Sequence, residues 1–194
     1  MYSLNEKTPP ATEPVDLQEM KDHLRVDTTD DDLMIGQLIK SAREYAEIAT
    51  GRSFINTTWE YKTDEYPTKE GGKIRLPKSP LSSVTSIVYT DTNGATQIEA
   101  TSVYDVNTDH IVGYVVPAYN QSWSDARNKT NSIVVEFVAG YGASADVPEG
   151  ARQAIKMLVS HWYEHRMAVS ELNYKSVPFA VDVLLGINSI PEIH

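Results

Sequence analysis

Apolar positions along this chain follow two rhythms, and the rhythm switches twice. In residues 30–50, Ile35, Leu38, Ile39, Ala42, Tyr45, Ala46 and Ala49 recur at the three- and four-residue spacing of one helix face. Asp30, Asp31 and Asp32 stand in its first turn, where the helix dipole favours negative charge, and Gly51 follows as a stop. The spacing predicts a helix of about 20 residues. A shorter helix precedes it over residues 16–24. There Asp16 as N-cap and Glu19 at N3 predict a capping box, and Val15 and Met20 a hydrophobic staple.

The helical period returns after Gly140-Tyr141-Gly142. Asp146 is the expected cap, Pro148 and Glu149 fill the first turn, and Ala151, Ala154, Ile155, Leu158 and Trp162 form a stripe that carries the helix to about Met167. A polar loop over 170–176 leads to Pro178 and a short apolar helix over 179–185, which Gly186 is expected to end.

Between these helical regions the alternation and composition are those of strands. Residues 57–61, 73–76, 84–90, 95–98, 102–106, 111–116 and 133–138 are the candidates, with Asn93-Gly94 as a hairpin turn. Residues 133–138 are apolar on both faces except at Glu136, so they read as the central strand. Residues 117–131 form a polar loop long enough to suggest a contact role for Trp123. Residues 1–14 hold three prolines and few apolar side chains, which predicts a flexible arm.

The predicted class is α+β: a small helical bundle of two N-terminal and two C-terminal helices, with an antiparallel β-sheet inserted between helices 2 and 3. The corresponding division is an arm (1–14), a helical domain (15–52 and 146–186), a β-rich insertion (53–145) and an apolar tail (187–194). The ends hold apolar side chains with no evident intrachain partner. Phe179, Val181, Leu184, Leu185, Ile187, Ile190 and Ile193 are therefore the candidate partner-binding residues, and Trp123 the candidate loop contact.

Charge and composition narrow the function. The 194 residues include 17 Lys and Arg against 27 Asp and Glu, a net charge of −10. That argues against non-specific nucleic-acid binding, whose affinity comes from cations neutralising phosphates. Cysteine is absent, which removes disulfides, thiolate metal sites and cysteine nucleophiles and fits a reducing compartment. No apolar run approaches the roughly 18 residues of a membrane span, and residues 1–15 lack a signal peptide's apolar stretch.

The sharpest chemical motif is His161-Trp162-Tyr163-Glu164-His165, an H-x-x-E-H string in a predicted helix. Two histidines four apart share a face and can share a zinc ion, with Glu164 as base, which would make a small metal-dependent hydrolase. The plainer reading places Trp162 in the core stripe with the histidines flanking it. A catalytic zinc needs a third protein ligand, and the next carboxylate, Glu171, lies in a loop, so the plainer reading is preferred and no metal or cofactor is expected. Gly140-Tyr141-Gly142-Ala143-Ser144-Ala145 lacks the spacing of a dinucleotide or P-loop motif and reads as a strand-to-helix turn. No G-x-S-x-G elbow exists.

Whole strings taken in order carry more. Lys21-Asp22-His23-Leu24-Arg25-Val26-Asp27, Ala42-Arg43-Glu44-Tyr45-Ala46-Glu47, Thr50-Gly51-Arg52, Ile74-Arg75-Leu76-Pro77, Phe137-Val138-Ala139-Gly140-Tyr141-Gly142 and His161-Trp162-Tyr163-Glu164 follow one another. Over residues 15–185 this order resembles the head–tail connector (adaptor, head-completion) family of tailed bacteriophages and prophages. The resemblance implies a non-enzymatic virion neck protein, assembled in the host cytoplasm. Its subunits would form a ring of about twelve. The ring would dock on the portal protein, extend the channel through which genomic DNA passes without sequence-specific binding, and recruit a stopper or tail-completion protein. A stopper or tail-completion role in the same neck is the alternative. The helix over 179–185 with the tail would meet the portal; the second helix and the β insertion would supply the subunit flanks.

Overall fold

The structure, a computed structural model, describes residues 2–68, 70–164 and 179–190. The chain divides into a β unit, Met1–Ala11 with Asn56–Tyr141, and a helical unit, Thr12–Ile55 with Gly142–His194.

Among the described residues the β unit has eight strands: β1 (Tyr2–Thr8), β2 (Thr57–Thr63), β3 (Ile74–Arg75), β4 (Leu81–Thr90), β5 (Thr96–Ile98), β6 (Tyr104–Asn107), β7 (Tyr114–Pro117) and β8 (Ile133–Ala139). They form two antiparallel sheets where the sequence suggested one, a five-stranded sheet in the order β1-β2-β8-β4-β5 and a three-stranded sheet in the order β3-β7-β6. β8 is the central strand of the larger sheet. Its Ile133, Val135, Phe137 and Ala139 are fully buried on one face and meet Ile74, Leu76, Ile87 and Val115 in the core. Between them Glu136 accepts an ion pair from Lys7 of β1 at 2.6 Å.

That pair belongs to a larger correction. Residues 2–8 are not a flexible arm: they pair with β2 from Tyr2↔Thr63 to Thr8↔Thr58. The Tyr2 ring stacks on Tyr61 at 5.4 Å, and Leu4 packs against the sheet core. Pro9 and Pro10 come just after the strand, where no ladder hydrogen bond is needed. The hairpin at Asn93-Gly94 also differs in detail. Only Gly94 takes positive φ (89°), and Asp91 builds the turn, its carboxylate accepting the N–H groups of Asn93 and Ala95 at 2.9 Å.

The helical unit comprises α1 (Leu17–Leu24), α2 (Asp32–Thr50), α3 (Glu149–Glu164) and α4 (Phe179–Asn188). Met167, the expected end of the third helix, lies outside the described residues. α2 packs on α1, α3 and α4, and α3 on α4. Val15 and Met20 are both fully buried at the start of α1. The capping box is half formed: Asp16 accepts the Glu19 N–H at 2.7 Å, but the Glu19 carboxylate turns instead to α3. There it takes hydrogen bonds from Arg152 at 2.7 Å and an ion pair with Lys156 at 2.6 Å. Asp146, expected as the α3 cap, closes the preceding turn by accepting the Ala143 N–H at 2.9 Å.

Burial opposes ionisation of Glu19, but the hydrogen bonds from Lys156 and Arg152 and their charges outweigh it, so its pKa lies below the ordinary 4.5. A depressed carboxylate pKa adds stability above the unfolded-state value, and that stability is lost as pH falls through the depressed one. Glu19→Gln is therefore expected to cost about 1 kcal/mol at pH 7, the modest sum for a partly exposed pair. As pH falls from 4.5 through the depressed value the difference should shrink, and the variant and the parent should converge only below that value, read from urea midpoints across a pH series.

The α2 stripe is rotated from the sequence expectation. Ile35, Ile39, Ala42 and Ala46 are buried as predicted, but Tyr45 and Ala49 are exposed, and Arg43, Glu47 and Thr50 are buried in their place. Arg43 donates to Glu13 and to Glu47, each at 2.8 Å, and Glu47 accepts the Phe54 N–H at 2.7 Å. These hydrogen bonds satisfy polar groups that a helix face turned to the core would otherwise strand.

Candidate assembly surfaces

α4 was expected to end at Gly186; it runs through that residue to Asn188. Val181 and Leu185 point into the helical core and are buried, so they are not presented to a partner. Leu184 and Ile190 are half-buried. The Ile190 N–H donates to the Thr50 carbonyl at 3.0 Å, and its side chain lies over Gly51, which has φ 71°. The chain after α4 thus satisfies a carbonyl that the end of α2 leaves without a helical partner. The expectation that these residues lack an intrachain partner is corrected accordingly. Of the predicted set Ile187 stands out in solvent, 79% exposed. The side chain of Phe179, and Ile193 altogether, lie outside the described residues.

The structure adds exposed apolar residues that the stripe analysis passed over: Val183 on α4, and Leu33 and Ile48 on α2, the last two 78% and 80% exposed. A signal for them was present, since Leu33 and Ile48 are apolar residues off the periodic face. Tyr45 is half out of the protein, with its ring edge-on to Trp162 at 6.4 Å.

Trp123 is also placed differently from its expected contact role. Its ring stacks on Tyr66 at 4.8 Å and 2°, and its indole N–H donates to the Gly72 carbonyl at 2.7 Å. Gly72 is needed here: it sits at φ 78°, and a Cβ would fall 2.9 Å from the indole nitrogen. Next to this stack the buried Glu99 carboxylate accepts from the Tyr66 hydroxyl, the Ser124 N–H and the Ser124 hydroxyl, all at 3.0 Å. Burial, then the Glu99 charge, drives the Tyr66 hydroxyl pKa far above its ordinary value. The 117–131 loop is pinned from below, and what it displays is Tyr119, 90% exposed, beside Asn120 at φ 57°.

His161 and Glu164 lie on the last turn of α3, while His165 lies outside the described residues. Among the described residues no group of three or more His, Asp or Glu side chains is placed to hold a metal ion, and no helix is long and apolar enough to cross a membrane.

Residues 14–176 match the family model described as head completion protein. The chain belongs to the head completion protein family. No curated protein matches it. Its fold is that of chains in three solved gene transfer agent (GTA) assemblies. One is the neck of an empty GTA particle computed with C6 symmetry, with a TM-score of 0.81 at 20% identity over 99% of this chain and 97% of that one. Another is the virion of a native GTA particle, with a TM-score of 0.78 at 21% identity over 98% and 97%. The third is the neck of a native GTA particle computed with C12 symmetry, with a TM-score of 0.78 at 20% identity over 99% and 97%.

The chain carries its charge unevenly. The β unit has 8 Lys and Arg against 11 Asp and Glu, net −3, whereas the helical unit has 9 against 16, net −7. The helical unit thus combines strong acidity with exposed apolar side chains on α2 and α4, and in the β unit the 117–131 loop is held by buried aromatic and carboxylate contacts.

Proposed function

We propose that this head completion protein is a structural component of the neck of a phage or phage-like particle. It has no catalytic role; its subunits form a ring, dock on the portal, continue the DNA channel and receive the stopper or tail. The family match over residues 14–176 carries this reading. The likeness in fold to neck chains of GTA particles and the net charge of −10 support it. An acidic channel protein repels the duplex evenly and leaves it free to slide, whereas clusters of phosphate-binding cations would hold it.

The portal contact is assigned to the outward part of α4, where Val183 and Ile187 are exposed, and to the chain that follows it; α2 and the β unit supply the flanks between subunits. Val181 and Leu185 hold α4 in position from the core side.

Deleting the gene from a tail-forming parent tests the reading by electron microscopy of the lysate. Full-sized heads that are empty or leaking, beside separate finished tails, are the expected result, and normally joined particles would refute it. Ile187→Asp tests the finer assignment. The side chain is exposed, so stability should change by less than about 0.5 kcal/mol, while portal binding falls at least tenfold.

A further inference from the structure

The two outer edges of the five-stranded sheet lack the usual protection of a sheet edge. In the order β1-β2-β8-β4-β5 each end strand has one neighbour among the described residues, β2 for β1 and β4 for β5. Every second residue of an end strand therefore turns its N–H and C=O away from the sheet. Charged side chains, prolines and bulges are the devices that keep such an edge from pairing. Residues 2–5 of β1, and residues 92–98 that hold β5, contain no charged residue and no proline. The irregularity in the β1 ladder falls later, between Glu6 and Thr8. A large apolar side chain stands exposed on each edge, Tyr2 at 63% and Ile98 at 71%.

The register across the sheet relates the two edges to each other. Ser3 pairs with Lys62, Lys62 with Val134, Val134 with Val88 and Val88 with Ile98, so Ser3 and Ile98 close the two ends of one rank. Val134 alternates with the buried Ile133 and Val135, so this rank points to the face opposite the core. All four pairings between β1 and β5 are antiparallel, so β1 and β5 run in the same direction. In a ring of many copies the rotation from one to the next is small and keeps that direction. A head-to-tail contact brings two different surfaces of one chain together, and each copy here carries both edges. Two copies at net −10 repel one another, and the uncharged edges are where their backbones meet without facing like charges.

We propose that β5 of one copy pairs in parallel with β1 of the next, so that the five-stranded sheet continues from subunit to subunit through backbone hydrogen bonds. The proposal rests on the ring reading above and names the contact between flanks that this reading needs. Ranks that continue level across the junction bring Ile98 of one copy beside Ser3 of the next. β5 spans three residues, so a single junction is weak. Repetition around the ring makes the weak junctions count.

The test is complementation of the gene deletion with full-length variants. Within one chain Ser3 and Ile98 are four strand spacings apart, about 19 Å, too far for a short bismaleimide cross-linker. The chain has no cysteine of its own. Joined particles carrying Ser3→Cys and Ile98→Cys in one chain, treated with that reagent, should give a ladder of dimers, trimers and longer chains. Either single variant should stay monomeric. Charge supplies a second readout, scored by the yield of joined particles. Ser3→Lys with Ile98→Lys sets like charges across every junction and should lower the yield at least tenfold. Ser3→Glu with Ile98→Lys sets opposite charges there and should keep the yield within about threefold of wild type. Circular dichroism melts of each purified variant separate misfolding from failed assembly.

Monomers alone from the double-cysteine particles overturn the proposal. So do dimers from Ser3→Cys alone, because two β1 edges would then pair about a two-fold axis. Equal losses of yield in the like-charge and opposite-charge variants overturn it too, since the edge would then receive a strand of another protein. Wild-type complementation keeps the outcomes distinct. A deletion without phenotype sinks the neck reading, whereas a deletion that wild type and the two-lysine variant rescue equally sinks only this contact.

Discussion

Arg43→Met is expected to cost about 3–5 kcal/mol, a large fraction of the roughly 5–15 kcal/mol that holds a domain folded. Arg43 is 3% exposed and is held by Glu13 and Glu47 at 2.8 Å, with Glu44 farther off at 3.6 Å. Burial works against its charge, yet Glu47 and Glu13 outweigh that and raise its pKa. Methionine has a similar apolar reach and fills most of the space, so the loss is electrostatic. It takes the guanidinium away from the buried Glu47 carboxylate, which also accepts the Phe54 N–H. A double variant, Arg43→Met with Glu47→Leu, removes both charges and should recover most of the loss. Urea unfolding of the three proteins reads this directly, and a single-variant loss under about 1 kcal/mol would show that Glu47 does not need its partner. The arginine joins the segment before α1, the face of α2 and the turn after it, so loss of the network should loosen the unit that carries the proposed portal contact.

Gly113→Ala should destabilise the β unit by about 2–3 kcal/mol through overpacking. A Cβ on Gly113 would overlap the Cβ of Leu81 and fall 2.5 Å from its Cδ2 and 2.9 Å from its Cγ. A rotamer change moves the outer atoms of Leu81 but not its Cβ, so the backbone has to give. Both backbones are engaged: the Gly113 carbonyl accepts the Leu76 N–H at 2.9 Å, and Leu81 is paired with Ala139 of β8. Amide exchange should therefore accelerate at Leu76 and along the start of β4 before the unit melts as a whole. Gly186→Ala is the matched control. It lies inside α4 with nothing within 4 Å of the added carbon, so it should stabilise by about 0.5–1 kcal/mol. An unchanged melting temperature in Gly113→Ala would mean the two segments separate at little cost.

Much of the architecture was legible because it rests on local signals. The two helices before residue 52, the strands of the insertion and the helix after Pro148 all follow from periodicity, caps and turn residues, and β8 was recognisable as the central strand from its apolar run. Errors fell where one segment's environment is set by another. β1 has no strong strand signal of its own and exists because β2 offers it an edge some fifty residues away in the chain. The face of α2 turned inward to take Arg43 and Glu47 because Glu13 and Phe54, one before and one after the helix, meet them there.

The partner-binding residues were the least legible. A short apolar helix tells that one face will be covered, not which one, and α2 and α3 took Val181 and Leu185 and left Val183 and Ile187 outside. Trp123 in a polar loop suggested display, yet Tyr66, Gly72 and Glu99 with Ser124 draw that loop inward and leave Tyr119 exposed. What the sequence by itself determined was the class, the order of the elements after residue 15, the acidity and the family, each written in short-range patterns or ordered strings. Only the tertiary structure decided which apolar side chains are core and which are surface, because burial depends on the neighbour a face meets, and that neighbour comes from a distant part of the chain.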